Sequence, residues 1–143
     1  MSTSLKFYMR IRNIKFEDLY EVYELLNQLK FVETSQVDKE LAWKEYNSEG
    51  LVVEHEGKIL GYGALILESK IRGYKSAQIE DVVIDEKYRG KGWGKLLLEE
   101  LCNRAEELGV YRISLFCKEE LVSFYNKSGF EINNVVMKKF LKS

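Results

Sequence analysis

Apolar and polar positions along this chain switch between a period near two and a period near 3.6. Phe7-Tyr8-Met9-Arg10-Ile11 alternates weakly and predicts a first strand. Leu19, Val22, Tyr23, Leu26 and Leu29 recur on one helical face, with Glu17 and Asp18 in the first turn, where the helix dipole favours negative charge. Residues 37–46 predict a second helix, with Leu41, Trp43 and Tyr46 apolar among charges. Residues 51–55 and 59–67, separated by Glu56-Gly57-Lys58, read as a hairpin, and 77–85 as a further strand. The helical period then returns: Leu97, Leu101, Ala105 and Leu108 point inward, and Gly109 supplies the stop. Residues 111–116 predict a short strand, 119–127 a short helix ending near Gly129, and 130–141 a terminal strand. The predicted order is β-α-α-β-β-β-α-β-α-β, an α/β (α+β) pattern.

Between the strand at 77–85 and the long helix stands Arg89-Gly90-Lys91-Gly92-Trp93-Gly94. The first N–H groups of a helix lack intrahelical partners, and glycines let the main chain approach an anion that the dipole also favours. The arrangement suits a phosphate, with Arg89, Lys91 or Lys95 adding positive charge. A Gly-x-Gly turn alone is also compatible with a tight strand–helix connection flanked by solvated basic residues. A second oddity is Glu80-Asp81 inside the apolar run from Ile79 to Ile84. Strand alternation directs the two carboxylates to opposite faces. Burying charge is costly, so they answer either to a bound cation or to one solvent-facing carboxylate and one structural ion pair.

Composition narrows the classes. A length of 143 residues suits a single domain spanning 1–143, long enough for a proper core. A net charge of −1 argues against nucleic acid as a partner, because phosphate-backbone binding needs a positive excess. No apolar run approaches the roughly 20 residues a bilayer requires, and no signal-peptide block opens the chain, so no membrane association and a cytoplasmic location are expected. Two cysteines, Cys102 and Cys117, without ligand spacing, and one histidine, His55, predict no metal site.

Arg-x-x-Gly-x-Gly followed by Phe124-Tyr125-x-x-x-Gly129-Phe130 resembles the GNAT superfamily of acyl-CoA-dependent N-acetyltransferases, and the predicted element order matches that fold over nearly the whole chain. The resemblance implies acetyl-CoA as co-substrate, with its pyrophosphate held by Arg89, Gly90, Lys91, Gly92, Trp93, Gly94 and Lys95. It also implies that the pantetheine arm lies along Val82, Val83 and Ile84 like an extra strand. Tyr125 is then the candidate general acid for the departing thiolate, since a phenol stays protonated at neutral pH. Glu80 and Asp81 become candidates for binding the amine and removing its proton.

Within the superfamily, Ile79-Glu80-Asp81-Val82-Val83, the block from Tyr88 to Leu97, Gly109-Val110-Tyr111-Arg112-Ile113 and the run from Cys117 to Phe130 are most similar to eukaryotic-type glucosamine 6-phosphate N-acetyltransferases. That resemblance implies an acceptor amine at C2 of an amino sugar phosphate, with Glu80 and Asp81 on the sugar and Lys70, Tyr111 and Arg112 near its phosphate. It also implies a homodimer in which one subunit reaches into the other's site. Phe116 departs from the pattern, standing where the family carries a carboxylate near the reacting amine. Other readings are an acetyltransferase for a polyamine, an aminoglycoside or a protein N-terminus, or a non-catalytic acyl-CoA-binding sensor.

Overall fold

A computed structural model describes residues 9–29 and 36–142. The elements are β1 (Arg10–Asn13), α1 (Leu19–Leu29), α2 (Lys39–Glu45), β2 (Glu49–His55), β3 (Lys58–Ser69), β4 (Lys75–Ile84), α3 (Trp93–Glu107), β5 (Arg112–Leu115) and α4 (Val122–Asn126), with single 3₁₀ turns before α1, α3 and α4. Each predicted element up to α4 is present with shifted ends; Phe7 and Tyr8 of the predicted first strand lie outside the described residues. The sheet runs in chain order, β1-β2-β3-β4-β5, antiparallel except for the parallel β4–β5 pair. The hairpin turns on Glu56 and Gly57, both at positive φ (51° and 76°), which matches the twist of the flanking strands.

Two layers cover the sheet. α3 packs Leu97, Leu98 and Leu101 on the face formed by Leu51, Val53, Leu60, Leu65 and Ile79. On the other face, α1 sets Val22 and Leu25 against Val52, Tyr62, Ala64 and Val83. The chain continues past Gly109, whose φ of 78° ends α3 as its position predicts. At the rim, Asp18 is buried and takes two bonds from the Arg12 guanidinium (2.8 and 2.9 Å) and one from the Lys15 amide (2.7 Å). Burial pushes the Asp18 carboxyl up, but the Arg12 bonds more than offset this and hold it below its usual value.

The terminal strand expected over 130–141 does not form among the described residues: residues 131–142 pair with none of the five strands. Ile132, Val135, Met137, Phe140 and Leu141 are each more than 80% exposed. A strand exists only by hydrogen bonding to a neighbour, and none of the five strands offers this segment one.

Candidate functional site

The site is a gap in the sheet. β4 pairs with β5 only from Ser76–Arg112 to Ile79–Leu115, whereas its pairing with β3 continues to Ile84. From Glu80 onward the β5-facing edge of β4, with Val82, Val83 and Ile84, is therefore unpaired among the described residues. Backbone N–H and C=O groups left on such an edge demand a partner, and an extended amide-containing chain supplies one.

The edge leads to the glycine loop. Gly90 and Gly92 have φ of 81° and 84°, and Gly92 is the N-cap of α3. The first helical bond runs from the Leu96 amide to the Gly92 carbonyl (3.2 Å), so the amides of Trp93, Gly94 and Lys95 carry no intrahelical bond. Arg89 spans the base of the loop, its Nε donating to the Ile84 carbonyl (3.1 Å), while Lys91 and Lys95 are exposed. Trp93 contributes main chain only: its side chain is buried against Tyr88 and His55. A Cβ on Gly94 would meet only ordinary contacts, Ile84 Cγ1 at 3.7 Å and Phe124 Cζ at 3.8 Å. The fold thus has room for a Cβ there.

Those same contacts bring α4 against the start of α3. Tyr125, the neighbour of Phe124, is half-buried and rests edge-on against Phe124 and Phe130, with ring centroids 5.0 and 6.0 Å away. Burial, and then the nearby Cys117, push its phenol above the usual value. Tyr125 therefore stays protonated throughout the neutral range and has a proton to donate.

The acidic pair stands where the strands part. The register is broken between Tyr62 and Ala64 opposite residues 80–83, and Asp81 has a φ of 58°. A non-glycine residue in this conformation signals local strain of the kind found at functional sites. Because of this bulge, simple alternation does not separate the two carboxylates. Glu80 pairs with Ala64 on the α1 face, and both Glu80 and Asp81 act electrostatically on the Tyr62 hydroxyl. The bulge thus interrupts the alternation that would send the two carboxylates to opposite faces. Glu80 accepts from Gln78 Nε2 (2.8 Å), and burial raises the Asp81 carboxyl.

Lys70, Tyr111 and Arg112 gather at the other end of β4. Arg112 lies over the Tyr111 ring (5.4 Å), Tyr111 packs on Tyr74 (5.3 Å), and Lys70 pairs with Glu68 (3.5 Å). Arg112 is level with Ser76, four residues before Glu80 and thus about 13 Å along the strand. Within one chain the cations and the carboxylates form two groups. Phe116 follows β5 directly, level with Glu80, and is exposed. Among the described residues no cluster of three or more potential metal ligands is present. Sequence reasoning did not single out the Tyr46–Tyr62 hydroxyl contact (3.1 Å) beside the acidic pair; Gly50, a glycine within a strand, was its only visible signal.

The model of the acetyltransferase (GNAT) family matches residues 16–130. The chain is 35% identical to a glucosamine 6-phosphate N-acetyltransferase of Arabidopsis thaliana, a match covering 92% of this chain and 95% of the relative. It is 33% identical to a probable glucosamine 6-phosphate N-acetyltransferase of Drosophila melanogaster, covering 86% of this chain and 61% of that longer relative. The crystal structure of the glucosamine-6-phosphate N-acetyltransferase from Arabidopsis thaliana superposes with a TM-score of 0.86 at 30% identity, covering 94% of this chain and 99% of that one.

Proposed function

This chain belongs to the acetyltransferase (GNAT) family and is an N-acetyltransferase, and from that premise we propose that it transfers the acetyl group of acetyl-CoA to the 2-amine of glucosamine 6-phosphate. The observation that carries the reading is the unpaired β4 edge, which runs from the acidic pair to the free amides of α3. Acetyl-CoA supplies an activated thioester. The β4 edge fits its amide-bearing arm, and the start of α3 fits its pyrophosphate. Gly90 and Gly92 shape the loop, and Arg89, Lys91 and Lys95 add charge. Tyr125 donates to the sulfur as negative charge develops there. Glu80 and Asp81 receive the ammonium and leave it neutral for attack.

The acceptor rests on the similarity to enzymes named for glucosamine 6-phosphate and on the separate acidic and cationic groups. Carboxylates suit the amine and hydroxyls; Lys70, Tyr111 and Arg112 suit a phosphate. The two groups lie about 13 Å apart along the β4 backbone, and we take from the resemblance that they serve one site across a dimer. In this reading the working unit is a homodimer, in which each protomer's cations complete its partner's acidic site. The exposed apolar segment 131–142 supports this association, since a monomer gains nothing by presenting such a surface to water.

The test compares glucosamine 6-phosphate with glucosamine by following thiol release from acetyl-CoA. A kcat/KM larger by about tenfold or more for the phosphorylated sugar is expected, one charge-assisted contact being worth at least that. Equal values, or turnover confined to a polyamine or a peptide, would refute this acceptor.

A further inference from the structure

An aromatic residue at the mouth of the β4–β5 gap has no role in the reading above. The last rung between the two strands is Ile79–Leu115, so Glu80 and Phe116 are the first residues on either side of the opening. Ile113 and Leu115 turn with Ala77 and Ile79 into the core under α3. Alternation puts Gln78, Glu80 and Ser114 on the opposite face, where Ala64, the β3 partner of Glu80, packs under α1. One step further along the same alternation, Phe116 joins that face. Its ring is 57% exposed, whereas the aromatics that follow it, Phe124, Tyr125 and Phe130, pack against the core under α3. The fold therefore does not use the apolar surface of this ring.

A carboxylate shares the opening. Gln78 Nε2 donates to Glu80 Oε1 (2.8 Å), and among the described residues no other side chain bonds to Glu80. One oxygen is thus fixed to the strand and the other is left for a ligand. A flat apolar surface beside a carboxylate matches the two-sided chemistry of a pyranose. The sugar's rim carries hydroxyls and the amine, which bond to a carboxylate. Its flat side carries C–H groups, which lie well against the electron-rich face of an aromatic ring. A linear amine offers no such side.

We propose that Phe116 sets the specificity of the acceptor site: its ring lies against the C–H face of the amino sugar while Glu80 bonds to the sugar's rim. The inference rests on the acetyl-transfer reading above. It adds a contact that does not depend on the sugar's phosphate, since Arg112 stands four residues earlier on the chain, about 13 Å back along β5.

The test measures KM and kcat with glucosamine 6-phosphate and with glucosamine in Phe116→Ala, Phe116→Leu and Phe116→Tyr. Losing an aromatic contact should raise the acceptor KM of Phe116→Ala about three- to tenfold. The kcat and the KM for acetyl-CoA should hold, because the contact serves ground state and transition state alike. Both sugars should lose kcat/KM by the same factor. Phe116→Leu keeps an apolar side chain without the flat face and should match Phe116→Ala; Phe116→Tyr keeps the face and should stay close to wild type. A wild-type acceptor KM in Phe116→Ala overturns the proposal. So does wild-type behaviour of Phe116→Leu beside a defective Phe116→Ala, which reduces the ring to apolar cover. A loss confined to the phosphorylated sugar, or a dimer that falls apart in Phe116→Ala by light scattering, overturns it too, since the ring then serves a subunit contact. Each of these results leaves the acetyl-transfer reading standing. A wild-type protein that acetylates neither sugar overturns both.

Discussion

Under the proposed reaction, single residues divide into those the fold needs and those the chemistry would need. Gly92 belongs to both sets, because its φ of 84° is costly for any side chain. Gly94 belongs to the second, since the fold has room for a Cβ there. Gly94→Ala, whose Cβ meets only ordinary contacts, should therefore keep a melting temperature close to wild type, while in Gly94→Leu acetyl-CoA binding measured by calorimetry collapses. Unchanged affinity would remove the pyrophosphate from this loop. Tyr125→Phe should fold and bind acetyl-CoA normally while turnover drops about 10²–10⁴-fold, the usual cost of a lost general acid. Wild-type turnover in that variant would make Tyr125 a packing residue and leave the thiolate to water. Asp18, distant in role, is structural: Asp18→Asn removes the bidentate partner of Arg12, which keeps its bond to Glu54 (3.2 Å), and should cost about 1–3 kcal/mol in urea unfolding at pH 7. Its folded pKa is depressed, so its contribution is present above the ordinary carboxylate value and fades as pH falls below it. The gap between wild type and variant should narrow on acidification through that range; a constant gap would contradict the linkage.

Between elements, the decisive contact is α3 lying flat on the sheet. Gly63 makes it possible, for a Cβ there would stand 2.8 Å from Leu101 Cδ1 and 3.6 Å from both Leu97 Cδ2 and Val82 Cγ2. α3 carries the free amides at its start, and Val82 sits on the unpaired edge, so a shift here moves the proposed donor site as a unit. Gly63→Ala should destabilise by about 1–3 kcal/mol, as overpacking does, and weaken acetyl-CoA binding although it touches no ligand. A variant as stable and as tight as wild type would show that the helix has slack. The other face is tied down by polar bonds: Glu21 of α1 accepts from the Ile59 amide (2.9 Å), and Gln28 bonds both Asp85 (3.2 Å) and the Glu86 amide (3.0 Å). These fix α1 to the segment leaving β4, which feeds the glycine loop.

At the scale of the molecule, the question is what covers the C-terminal segment. Removing residues 131–143 should convert a dimer in light scattering to a monomer and abolish the preference for phosphorylated over free glucosamine. A full-length monomer in solution would rule out the shared site. Much of this protein was legible in its sequence because the signals are local. Periodicity located every element through α4, Gly57 and Gly109 marked the turn and the stop, and the glycines at 89–94 marked the start of α3, since a helix start and an αL glycine depend on neighbours within a few residues. Tertiary structure alone decided the rest. Pairing distance opened the β4 edge, a bulge broke the alternation at Glu80 and Asp81, and about 13 Å of strand separated the cations from them. The C-terminal residues have strand-like sequence but no strand, and Tyr46 meets Tyr62 only because Gly50 gives way. Each of these depends on which segments become neighbours, a property of the packed chain that no local pattern contains.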